Sequence, residues 1–132
     1  MATILVIDDA ALSRQVLRKI LQTEGYTIWE AKNGIEALEI LEKKQKKPDC
    51  ILLDILMPEM GGVEFLTVMR QRELKIPTIV ITADIQETTR IKCLQLGAMT
   101  VMHKLVKPNE LRDCIKKALE NLPPSEIYES NI

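Results

Sequence analysis

The strongest constraint on how this chain can fold is an alternation along its length. Short apolar, often β-branched runs at Thr3 to Ile7, Thr27 to Ala31, Cys50 to Leu53, Thr78 to Thr82 and Thr100 to His103 are separated by longer stretches of helical period. Repeated βα units of this kind build a parallel sheet with helices over its faces, because each parallel crossover needs a long connection and a helix supplies it. The runs ILVI, CILLD and TIVIT are apolar almost throughout, as expected of strands covered on both sides. The intervening periods place Leu12, Val16, Ile20 and Leu21 on one side of a first helix, and Leu111, Ile115, Ala118 and Leu122 on one side of the last. Between them, Ile35, Leu38 and Leu41 mark a second helix, Val63, Leu66 and Met69 a third, and Ile91, Leu94 and Leu96 a less regular fourth. With 132 residues, 46% of them hydrophobic, the chain can close one sizeable core but is too short for two ordinary domains.

Gly25, Asn33-Gly34, Gly61-Gly62 and Gly97-Ala98 punctuate the elements. Pro123-Pro124-Ser125 breaks the last helix, so the expected division is a domain over residues 1–122 and a short tail over 123–132, with no output domain. Lys plus Arg number 18 against 19 Asp plus Glu, which offers no general pull toward nucleic acid or an anionic membrane. The basic run Lys43, Lys44, Lys46 and Lys47 reads as a solvated helix end whose charges complement the helix dipole. Cys50, Cys93 and Cys114 lie far apart among apolar residues, without zinc-site spacing or a disulfide framework, and are expected to be reduced thiols of a cytoplasmic protein. No apolar run approaches the roughly 20 residues that span a bilayer, and no signal sequence opens the chain.

In an open parallel sheet, ligands sit beyond the carboxyl ends of the strands. Those ends hold Asp8-Asp9 after strand one, Asp54 after strand three, Thr82 at the end of strand four and Lys104 after strand five. Singly, each has a plain structural reading as a cap, a β-branched strand residue or a surface charge. Their coincidence at one edge is what marks a site. Carboxylates gathered there repel unless a cation joins them, and the donors on offer are oxygens, so a hard ion such as Mg2+ fits better than zinc. Mg2+ bound by one or two carboxylates leaves positions for phosphoryl oxygens, toward which an ammonium and a hydroxyl can also point. A carboxylate beside such an ion can serve as nucleophile, and Asp54 is the candidate.

These residues, in the motifs ILVIDDAALSR, LLDILMPEMGG, VITAD and GAMTVMHK, resemble the receiver domain of two-component response regulators, of the stand-alone single-domain, chemotaxis-regulator-like type, over residues 2–121. The resemblance implies a flavodoxin-like, doubly wound five-stranded sheet of order 2-1-3-4-5. It implies that Asp54 accepts phosphate from a histidine kinase or phosphotransfer protein, and that Asp9, Asp54 and the Leu56 carbonyl hold Mg2+ with Asp8 acting largely through water. Thr82 and Lys104 would clasp the phosphoryl group. Such a protein is no enzyme beyond its own aspartyl phosphorylation and dephosphorylation. Its output would be a change in binding to a downstream protein at the face of helix four, strand five and helix five, as a monomer or weak dimer, with no direct contact to nucleic acid or membrane.

Three positions depart from the family pattern. Leu105 follows Lys104 where proline is usual, and a cis bond before a non-proline residue costs roughly 3 kcal/mol, so Lys104-Leu105 is expected to be trans. Val101 stands where the family commonly has an aromatic residue, and Gly61 where it has a capping Asp. Arg90, Lys92, His103, Lys107, Arg112, Lys116 and Lys117 would make the output face basic, either as an ordinary solvated surface or for an acidic partner. Leu56 and Asp84, two places after the acceptor and the threonine, are expected to govern water access, and Met57-Pro58 to turn the chain away so that Asp54 stays exposed. A flavodoxin-like electron carrier is disfavoured by Asp8-Asp9 where its phosphate loop would lie, an aspartyl phosphatase by the missing second Asp two places on, and a nucleotide hydrolase by the lack of a G-x-x-x-x-G-K-[ST] run. The remaining alternative is a receiver-like interaction module that works without phosphate.

Overall fold

The computed structural model describes residues 2–120. Ten elements follow in strict alternation: β1 (Thr3–Ile7), α1 (Ala11–Gln22), β2 (Thr27–Ala31), α2 (Gly34–Lys43), β3 (Cys50–Leu53), α3 (Gly62–Gln71), β4 (Thr78–Thr82), α4 (Glu87–Gln95), β5 (Thr100–His103) and α5 (Pro108–Leu119). The strands are all parallel, in the order β2-β1-β3-β4-β5. Both the doubly wound class and the strand order agree with expectation. The reversal of strand order falls between β1 and β3, which is where a ligand crevice opens in such a sheet.

Side-chain alternation splits the core in two. Leu5, Ile7, Ile51, Leu53 and Val80 face α2, α3 and α4, where Phe65 is the largest fully buried side chain. Ile4, Val6, Cys50, Leu52, Ile79 and Ile81 face α1 and α5, meeting Leu17, Leu21, Leu111 and Ile115. Central strands buried on both faces must be apolar at every position, which is why β1, β3 and β4 were readable as continuous runs. The edge strands β2 and β5 are only partly covered.

The helical faces need correction. In α1 the buried residues are Leu17, Ile20 and Leu21, whereas Leu12 and Val16 are 72% and 50% exposed. The helix starts at the carboxyl edge of the sheet, and only its second half reaches the core. Ile35 and Ile91 are likewise exposed, and the buried residue of α4 is Cys93 rather than its leucines and isoleucine. In α5, Leu111, Ile115 and Ala118 are buried as expected; Leu122 and the tail 123–132 lie outside the described residues. Lys47 donates from its ammonium to the Leu41 carbonyl near the end of α2, and Lys44 lies 5.1 Å from the centre of the Trp29 ring, so this basic run serves the helix end and its neighbour. The cysteines are free, and burial pushes the Cys50 thiol up to about 12 and the Cys114 thiol up to about 11. Both are therefore protonated, inert thiols at neutral pH.

Candidate functional site

The turn after β1 is built by Asp8 itself. Its backbone N–H donates to Ala31 O of the neighbouring strand at 3.1 Å, and its Oδ1 accepts from Ala10 N at 2.9 Å, closing a tight turn into α1. Asp8 is thereby buried while Asp9 is exposed. Asp54 leaves the end of β3 beside it, anchored by its N–H to Ile7 O at 2.9 Å. Carboxylate oxygens of Asp8, Asp9 and Asp54 all lie within 4.8 Å of one another. From the far strand, Lys104 reaches both buried members, with Nζ 2.9 Å from Asp8 Oδ2 and 3.2 Å from Asp54 Oδ2. Its own N–H donates to Thr82 O at 2.9 Å, which holds the start of the β5–α5 loop against β4.

The electrostatics follow from this packing. Asp54 is 6% exposed, so the expectation of an accessible carboxylate is corrected: the chain bends after Leu53 without bringing the side chain into open solvent. Burial holds its pKa above the usual carboxylate range, with the Asp8 charge adding to the rise and Lys104 offsetting part of it. For Lys104, burial alone would lower the value, but the hydrogen bond to Asp8 and the charges of Asp54 and Asp8 overcome it and the net shift is upward. One ammonium thus serves more than one carboxylate, and the pocket carries an excess of negative charge. Three convergent oxygen donors with one neutralising lysine suit a small hard cation.

Two further arrangements shape the pocket. Thr82 is fully buried, and its Oγ1 accepts from Asp84 N at 3.1 Å. Asp84 then forms a turn ahead of α4, accepting from Gln86 N at 2.9 Å and from Thr89 Oγ1 at 2.8 Å; these two donors hold its carboxyl below the usual range. Leu56 is 58% exposed beside the acceptor, and its N–H faces Asp54 Oδ1 at 3.4 Å. Gly61 caps α3 without a side-chain bond, as its departure from Asp implies. Gly62 is more than punctuation, because a Cβ there would stand 2.6 Å from Asp54 O and 2.8 Å from Ile55 Cα. The backbone carrying Asp54 packs directly on the first turn of α3, and only glycine permits that approach. Nothing in the spacing distinguished Gly62 from its neighbour Gly61.

The Lys104-Leu105 peptide is cis, which corrects the expected trans bond. Lys104 is fixed at both ends, by Thr82 O at its N–H and by the two aspartates at its ammonium, so the local path is set by tertiary contacts rather than by the identity of residue 105. Leu105 itself is 97% exposed and lines, with Leu12, Val16 and Val106, a shallow apolar groove of about 150 Å³ beside the site. On the expected output face the charges are partly matched: Arg90 pairs with Glu87 at 2.8 Å, Lys107 with Glu110 at 3.9 Å and Arg112 with Glu24 at 3.7 Å.

A 2-1-3-4-5 doubly wound sheet with a ligand crevice at its switch point defines the chain as a flavodoxin-like α/β protein. Within that class it belongs to the response regulator receiver domains of two-component systems, whose family profile it matches over residues 4–116. It is 36% identical over 116 residues to sporulation initiation phosphotransferase F of Bacillus subtilis, covering 88% of this chain and 92% of that one. It is 34% identical over 119 residues to the sensor histidine kinase CheAY of Helicobacter pylori, covering 89% of this chain but only 15% of the kinase. Among solved structures, a CheY-like receiver domain from Methanospirillum hungatei superposes with a TM-score of 0.84 at 27% identity, covering 92% of this chain and 95% of that one. Members of this family are signalling proteins rather than conventional enzymes, they interact with histidine kinases or phosphotransfer proteins, and they generally bind Mg2+ at an acidic pocket. Among the described residues, no helix is long and apolar enough to cross a membrane.

Proposed function

We propose that this chain is a phosphoacceptor of a two-component relay, taking phosphate onto Asp54 and altering its binding to a downstream protein. The observation that carries the reading is the convergence of Asp8, Asp9 and Asp54 with Lys104 bridging the two buried carboxylates. An Asp54 oxygen attacks the phosphorus of a donor phosphohistidine; the new O–P bond forms as the P–N bond breaks, and the leaving imidazole takes the bonding pair and is protonated by solvent water. Asp8, Asp9, Asp54 and the Leu56 carbonyl would hold Mg2+, which supplies charge neutralisation for the incoming phosphoryl oxygens. Lys104 exchanges its contact with Asp54 Oδ2 for one to a phosphoryl oxygen, and Thr82 turns its hydroxyl from the Asp84 N–H to donate to another. Burial of Asp54 keeps bulk water away from the acyl phosphate, with Leu56 and Asp84 at the entrance.

The receiver unit is assigned to residues 1–122, with helix four, strand five and helix five as the face read by the partner. The test is incubation with a small phosphodonor and Mg2+, followed by intact mass. A single base-labile phosphoryl addition is expected for the wild type and none for Asp54→Asn. Absence from the wild type, or equal addition to the variant, overturns the reading.

A further inference from the structure

The three carboxylates are held by more than their own loops. Ala10, the N-cap of α1, has no side-chain cap bond, and the first turn of α1 contains no acidic residue, so the β1–α1 connection lacks the usual helix-start devices. What reaches it instead is a guanidinium from inside α1: Arg14 Nη1 donates to Asp8 O at 2.7 Å. The same side chain turns its Nε to Glu30 Oε1 at 3.2 Å. Glu30 lies on edge strand β2 opposite Val6, on the α1 side of the sheet, and it is held in turn by Arg18, whose Nε and Nη2 donate to its two oxygens at 2.8 Å each. Arg14 and Glu30 are 20% and 28% exposed, shielded enough for the geometry to persist.

The consequence concerns the peptide between the two aspartates. Asp8 has its N–H on Ala31, its Oδ1 on Ala10 and its Oδ2 on Lys104, and the Arg14 contact fixes its carbonyl. A fixed Asp8 carbonyl fixes the plane of the following peptide, and with it the direction in which the exposed Asp9 leaves the chain. We infer that Arg14 and Glu30 are positioning residues for the metal: Glu30 sets the Arg14 guanidinium, and Arg14 sets the Asp8–Asp9 turn so that both carboxylates meet Asp54. Glu30 also offsets part of the charge of Arg14 and Arg18, which would otherwise stand bare beside a cation site. This inference rests on the metal-binding reading of Asp8, Asp9 and Asp54.

It is tested by direct titration of the folded chain with Mg2+, and with Mn2+ followed by electron paramagnetic resonance, beside a thermal melt without metal. Partners that orient ligands cost about ten- to hundredfold in metal affinity when lost, so Arg14→Lys and Glu30→Gln are each expected to weaken binding about tenfold. Arg14→Lys retains the charge but cannot span Asp8 O and Glu30 together, so this loss separates positioning from electrostatics. Arg18→Gln leaves the Arg14 bridge in place and is expected to stay within about twofold of the wild type. Were charge alone responsible, Arg18→Gln would tighten binding and Arg14→Lys would leave it unchanged, and either result overturns the inference. Lowered melting temperature with unchanged metal affinity in Arg14→Lys and Glu30→Gln overturns it too, leaving a structural ion pair. Should Arg14→Lys fail to fold, Glu30→Gln titrated at low and at high salt decides: a loss of affinity that salt abolishes is electrostatic and overturns the inference, and a loss that persists at high salt upholds it. Binding by the wild type that Asp9→Asn abolishes supports the metal reading independently; a wild type that binds neither ion removes that reading and this one together.

Discussion

α1 and α4 both begin at the carboxyl edge of the sheet, and the chain secures them in opposite ways. α1 buries Leu17, Ile20 and Leu21 against its face of the sheet and is tied to β2 through Arg14, Arg18 and Glu30. α4 buries Cys93 alone among its residues, and its first turn hangs from Asp84, whose backbone is bonded to the Thr82 hydroxyl. The difference separates two tasks. The turn carrying Asp8 and Asp9 is held by hydrophobic burial and ion pairs of α1, while the helix on the other side is held by a short polar tether that starts at the threonine proposed to meet phosphate. A helix with little buried apolar area is the one whose position a single exchanged hydrogen bond can shift.

The largest expected break in that contrast comes from the cores of the two helices. Leu21→Ala, fully buried in α1, should cost about 3 kcal/mol in urea unfolding, whereas Ile91→Ala, half exposed on α4, should cost less than about 1 kcal/mol. Equal losses would mean that α4 is as firmly seated as α1. Next comes the backbone of the acceptor. Gly62→Ala should cost about 2 kcal/mol, because its Cβ meets the Asp54 carbonyl and the Ile55 backbone. Gly97→Ala provides the counterpart at the α4–β5 turn: its φ of 103° strains an L-residue but no atom lies within 4 Å, so a loss of about 1 kcal/mol is expected. Removing the tether should act locally. Asp84→Ala loses the turn that ties the end of β4 to α4, and should speed amide exchange in the first turn of α4 while leaving Mg2+ affinity within about twofold.

The smallest effect carries the opposite sign. Asp54 has a raised pKa from burial and from Asp8, so the native state holds its proton longer than the unfolded chain does. Stability then falls as pH rises through the ordinary carboxylate range toward the raised native value, and stays lowered above it. Asp54→Asn should therefore be slightly more stable than the metal-free wild type at neutral pH, with the gap closing below the carboxylate range and shrinking when Mg2+ is added. Thermal melts across pH, with and without the ion, check both statements.

How much of this was legible depends on the range of each interaction. The central strands could be read because burial on both faces leaves an unbroken apolar run, and the gathering of Asp8, Asp9, Asp54 and Lys104 could be read because each follows a strand end. The buried stripe of α1 was misplaced because periodicity says which residues share a side, not how far along the helix the sheet extends beneath them. Leu12 and Val16 are 72% and 50% exposed, whereas Leu17 is 5%. Burial of Asp54 was missed because Lys104 covers it from the loop after β5, two strands away from β3 in the sheet order. Glu30 was passed over for a similar reason: in Thr27-Ile28-Trp29-Glu30-Ala31 it looks like an edge-strand charge, and its partners lie 16 and 12 residues upstream on another element. The hint was available, since an acidic residue facing the same side as Val6 must point at a helix rather than at open solvent.

The Asp8–Lys104 pair joins residues 96 positions apart and ties the end of the first strand to the loop after the last. Contacts of such separation close late in folding, because most of the chain must already be ordered before the loop they span can be shut. A partly folded chain therefore contains Asp54 but not the pocket around it. On the proposed phosphoacceptor reading, competence to receive phosphate would then certify complete folding, and no phosphate would be spent on immature or damaged copies.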